Sequence, residues 1–135
     1  MTVIQFLENR FSALSVGDYA LVHDSYHHDA PFLQQFSDRP AYIRFALQQL
    51  ASIEIKNWRC LRQRDIEEGQ IEVLILMELA TEAGSQFFYE LALLIKSNQD
   101  WFYHSAQKLG VDDYAGFPDK IDFHHFDDAA HKIRF

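Results

Sequence analysis

The sequence predicts an α+β fold, three N-terminal helices laid on a curved antiparallel sheet, and three observations carry that reading. The hydrophobic period changes from helical to alternating near Ser52. The stretch Ile71 to Leu79 has apolar residues on both faces, as a strand covered on both sides does. Gly17-Asp18 breaks an otherwise helical N-terminal region into a hairpin of helices.

The first helix carries Ile4, Leu7, Phe11 and Leu14 on one stripe and stops at Gly17. Asp18 caps a second helix, expected to reach about His28, with Tyr19, Val22 and Tyr26 on one face. Asp29-Ala30-Pro31 ends it, and Phe32 to Phe36 reads either as a short strand or as a turn of helix. Ser37-Asp38 before Arg39-Pro40 starts a third helix with the stripe Ile43, Ala46, Leu47, Leu50. Four strands follow. The first, Ile53 to Gln63, slips its alternation near Asn57-Trp58, the mark of a bulge. Glu67-Glu68-Gly69 turns the chain into Gln70 to Ala80. The third strand, Gln86 to Lys96, aligns Phe87, Tyr89, Leu91, Leu93 and Ile95, and the fourth runs from Trp101 to Leu109. Residues 1–109 thus read as one domain, and 110–135 as an acidic, His-bearing tail that packs on the domain or on a partner.

At 135 residues, 48% hydrophobic and with twelve Phe, the chain has the material for one sizeable core. A formal charge of −8 repels phosphate backbones and anionic headgroups, so neither nucleic acid nor a membrane surface is expected as a partner. No apolar run approaches the roughly 20 residues of a bilayer span. Cys60 is the sole cysteine, which excludes an intrachain disulfide and suits a cytoplasmic setting; no signal peptide is read.

Arg10-Phe11-Ser12-Ala13, Gly17-Asp18, Ser25-Tyr26-His27 and Trp101-Phe102-Tyr103, in that order, resemble the middle domain of bacterial YchJ-like proteins. That uncharacterised family belongs to the cone-shaped superfamily of nuclear transport factor two and the SnoaL-like cyclases. The resemblance spans about Phe6 to Leu109. It implies a cone with a pocket at its open end and back-to-back dimers; it supplies no substrate. The Cys-rich segments that accompany many family members have no counterpart here, so any function they carry is not implied.

Polar residues expected to face such a pocket are His23, Tyr26 and His27 from the second helix and Tyr89, Tyr103 and His104 from the strands. A histidine beside a carboxylate titrates near neutral pH, which makes His27 or His104 with Asp24 or Glu90 the catalytic candidates. The preferred reading of Tyr26 and His27 is structural, ring and imidazole bonding to backbone at a helix end. His124, Asp128 and His131, at spacings of four and three, would share one face of a helix, with His125 able to join them, and without a second shell no metal site is assigned. Cys60, with Arg62 on its side of the strand and Arg59 on the other, reads as a core residue rather than a nucleophile. No cofactor motif is present. The reading is a module that binds a small apolar molecule or a protein; the alternative is a cofactor-independent lyase or isomerase. Leu74 and Leu76, with Phe88, Ala92 and Leu94, are expected to form an apolar patch on the convex face of the sheet. Either the tail, through Phe117, Ile121, Phe123 and Phe126, or a second copy covers it, and a homodimer with the tail at its rim is the expectation.

Overall fold

The structure, a computed structural model, describes residues 1–129. Helix α1, Val3–Val16, opens on a capping box in which Thr2 and Gln5 satisfy each other's backbone N–H, and it ends at Gly17 in the left-handed conformation that glycine adopts without strain. Asp18 caps α2, Tyr19–Asp24, by accepting from the Leu21 N–H. This helix is shorter than its pattern suggests. Backbone bonds from His27 N to Tyr103 O and from Tyr103 N to Ser25 O, 2.8 and 2.9 Å, pull the chain out of the helix and onto the last strand. Pro31–Gln35 forms a 3₁₀ turn, and α3, Arg39–Gln49, starts with Pro40 in its first turn. Its buried face is Tyr42 and Ala46, whereas Leu47 of the expected stripe is exposed.

Four strands form an open antiparallel meander in sequence order: β1 Glu54–Glu67, β2 Gln70–Thr81, β3 Gly84–Ser97 and β4 Asp100–Leu109. The slip expected near Asn57 is one of three register shifts in β1, between Ile55 and Asn57, Cys60 and Arg62, and Asp65 and Glu67. On one face, Phe6, Leu7 and Phe11 of α1 pack on Ile71, Val73 and Ile75 of β2 and Ala92 and Leu94 of β3. Behind α1, Ala13 joins Tyr19 and Val22 of α2 and Tyr42 and Ala46 of α3 in a smaller core.

The other face is covered by the chain itself. After β4 the tail makes a 3₁₀ turn, Pro118–Lys120, and a short helix α4, Phe123–Asp127, and it sets Ile121 and Phe126 against Leu74, Leu76, Tyr89, Leu91 and Leu109. Phe117 stays 79% exposed. The membership of this face corrects the sequence reading of β3. The two-residue turn between Thr81 and Gly84 pairs odd positions of β2 with even positions of β3, so Val73 faces Ala92 and Leu74 faces Leu91. Phe88, Ala92 and Leu94 therefore lie on the helix side, and Leu74 and Leu76 of the expected patch are covered by the tail. Among the described residues no helix is long and apolar enough to cross a membrane.

Candidate functional site

One charged residue of α1 sits within its apolar stripe. Arg10 lies three residues after Leu7 and four before Leu14, a spacing that turns it inward, and it is 9% exposed. Its guanidinium carbon lies 4.0 Å from the centre of the Tyr103 ring and 4.6 Å from that of Tyr26, a double cation–π contact. Nη1 donates to Ser25 Oγ and to the Val22 carbonyl. Burial opposes the charge, and the Tyr26 and Tyr103 phenols with the Glu90 carboxylate outweigh it, leaving the Arg10 pKa raised.

Glu90, 7% exposed, is the counter-charge. The Tyr103 hydroxyl donates to its Oε1 at 3.0 Å, and Lys108 Nζ lies 3.8 Å from the same oxygen. Burial, then the nearby Glu90 charge, holds the Tyr103 phenol well above its ordinary pKa, so it is a donor at neutral pH. Tyr42, raised mainly by burial, is likewise a neutral phenol.

These groups line one wall of a cavity of about 310 Å³ between the helices and the sheet, whose remaining wall includes Phe11, Phe32, Phe45, Leu50 and Met77. A second hollow of about 360 Å³, lined by Ile53, Ile55, Leu79 and Phe88, adjoins it. Leu14, Leu50, Met77, Glu90 and Lys108 border both, so the two are lobes of one trough, aromatic at one end and largely aliphatic at the other. Glu90 stands at the junction.

Of the residues expected to face a pocket, Tyr26 and Tyr103 line the first lobe, and Glu90 lines both. Tyr89 borders the second lobe, while its ring packs with Leu76 and Tyr114 on the opposite face. Among the described residues no histidine lines either lobe. His23 bonds its neighbour Asp24 at 3.0 Å, and Asp24 is held by Arg39 through two bonds of 2.6 and 2.9 Å. That bond to Arg39, ahead of the one to His23, keeps the Asp24 carboxyl below its usual pKa. His27 and His104 come together beside Phe102, with ring centres 6.0 Å apart. The backbone bridge to Tyr103 aims His27 there, and a bulge makes His104 the inserted residue of β4. The histidine–carboxylate pair is thus not assembled in the cavity, where Glu90 meets a tyrosine and a lysine instead. Arg10 and Lys108 were the residues missed, although the place of Arg10 on an apolar stripe was a visible signal.

The remaining candidates fall elsewhere. Cys60 packs beside the helix-side core, and burial pushes its thiol pKa up. The register shift after it sends Arg62 to the opposite face, where Nη1 donates to the Ile121 carbonyl, so neither flanking arginine shares the face of the sulfur. His124 belongs to α4, Asp128 caps it, and His131 lies outside the described residues. Among the described residues the group with metal-ligand spacing is His27, His28 and Asp29, whose ligand atoms come within 4.8 Å of one another. No family model matches the sequence, and a search of curated proteins finds no significant match.

Proposed function

We propose that the chain is a small-molecule-binding module, a cone-shaped domain of the nuclear-transport-factor-two-like, YchJ-like kind, which takes an apolar ligand into the trough between its helices and sheet. The observation that carries this is the polar cluster of Arg10, Tyr103 and Glu90 set in the wall of a cavity lined mainly by aromatic and aliphatic side chains. A cavity of this size and lining, with a few convergent polar groups, is what a ligand of modest size needs for burial and orientation. The order of elements, helical hairpin first and meander after, supports the cone. The lyase or isomerase reading asks for a histidine beside a carboxylate in the same space, and among the described residues no histidine lines it.

The test is titration of the tag-free protein with the fluorescent apolar probe 1-aminoanthracene, alongside Met77→Trp, which fills the junction of the lobes. Saturable binding by the native chain and its loss in a folded Met77→Trp variant are expected. Absence of saturable binding to the native chain would overturn the reading.

A further inference from the structure

Resting on that reading, we infer that the ligand is an apolar molecule bearing a neutral hydrogen-bond donor, an alcohol or phenol hydroxyl, which it places on Oε2 of Glu90 at the junction of the two lobes. Both contacts to this carboxylate, from Tyr103 and Lys108, go to Oε1. Among the described residues no buried side-chain nitrogen or oxygen lacks a partner. Oε2, which accepts from no described group, therefore lies at a surface, and the surfaces Glu90 borders are those of the trough.

The other charges bordering the trough, Arg10 and Lys108, are donors and cannot accept from a ligand hydroxyl. The faces of the Arg10 guanidinium are covered by Tyr103 and Tyr26, and Nη1 is spent on Ser25 and the Val22 carbonyl. Lys108 is 60% exposed at the rim and leans on Glu90. An ionised ligand carboxylate has no hydrogen to donate to Oε2, and setting it there would bring two like charges into contact. A ligand ammonium would enter a neighbourhood that already holds two cations against one carboxylate. A neutral hydroxyl meets neither penalty, and a hydrogen bond to an ionised acceptor is among the stronger ones.

The experiment compares 2-naphthol, 2-methoxynaphthalene and 2-naphthoate on the native protein, following the Met77 methyl resonance. Binding of 2-naphthol at least about tenfold tighter than its methyl ether is expected, the scale of a hydrogen bond to a charged group. Glu90→Gln, whose amide can turn a donor toward the ligand, is expected to reduce that preference below threefold. Equal binding of the alcohol and the ether, or tightest binding of the naphthoate, would overturn the inference and leave the binding module standing. If none of the three moves Met77 and 1-aminoanthracene also fails to bind, the module reading falls and takes the inference with it. The native comparison needs no variant to fold.

Discussion

Tyr103 and Lys108 reach the same oxygen of Glu90 although they are five residues apart on one strand, an odd spacing that would put them on opposite faces of a regular sheet. The bulge resolves the conflict. Before it, Tyr103 pairs with Leu94; after it, Ser105 pairs with Leu93 and Lys108 with Glu90 itself. His104 is the inserted residue, and its insertion builds one wall of the trough.

Deleting His104 is therefore expected to cost far more than changing it. The deletion forces either Tyr103 or the segment Ala106 to Leu109 onto the wrong face, with a loss above about 3 kcal/mol. His104→Ala keeps the residue count and should stay within about 1 kcal/mol of the native protein while still binding 1-aminoanthracene. Urea unfolding of the two variants checks this, and equal stability would contradict it.

Arg64 fastens the tail to the sheet. It donates to Glu72, 2% exposed, at 2.8 Å, makes two bonds of 2.9 and 3.0 Å to Asp127 of α4, and lies over the Phe123 ring. Arg64→Ala is expected to lower stability by about 2 kcal/mol. Limited proteolysis should cut first within the tail, between Gly110 and Asp122.

A chain ending at Gly110 uncovers Leu74, Leu76, Tyr89 and Leu91. Light scattering across a dilution series should show self-association of the shortened chain and none of the full chain through this face. Concentration-independent monomers of the shortened chain would argue against the tail as the cover.

The His27 imidazole has its pKa lowered, first by burial and then by the neighbouring His28, with Asp29 opposing and His104 adding to the fall. The folded state thus prefers the neutral ring. Its contribution is fully present above the ordinary value of 6.5 and is lost as pH falls through the lower folded value. Between about pH 7 and pH 5, the melting temperature of the native protein should drop more than that of His27→Gln. Parallel curves for the two would show that His27 is not responsible.

The β3–β4 turn holds Asn98 and Gln99 at φ of 51° and 73°, both in the left-handed region. Asn tolerates that conformation; Gln does so at a cost. Gln99→Gly should stabilise the protein by up to about 1 kcal/mol, read from the urea midpoint.

What could be read in advance followed from local signals. The Gly17-Asp18 break, the Asp38 cap ahead of Pro40 and the two-faced apolar pattern of β2 each depend on neighbours in sequence. What escaped depends on pairing. The face that Leu94 occupies is set by the length of the turn at Glu82-Ala83, and the side that Lys108 shares with Tyr103 is set by one inserted residue. A pattern confined to one strand contains neither. His27 and His104 looked like pocket residues because each neighbours a tyrosine that does line the cavity, but the backbone bridge to Tyr103 places one and the β4 bulge the other outside its lining.

The tail's place on the sheet also has a consequence for the order in which the protein is made. Each hairpin of the meander pairs with the strand just before it, so the sheet can assemble as the chain emerges. Its second face cannot close until Phe126 has been synthesised, 35 residues after Leu91. At about 5–20 residues per second, that interval lasts on the order of seconds. Until it ends Leu74 and Leu91 lack the cover that Ile121 and Phe126 supply in the finished chain, and a ribosome paused between Leu109 and Phe126 would prolong that exposure.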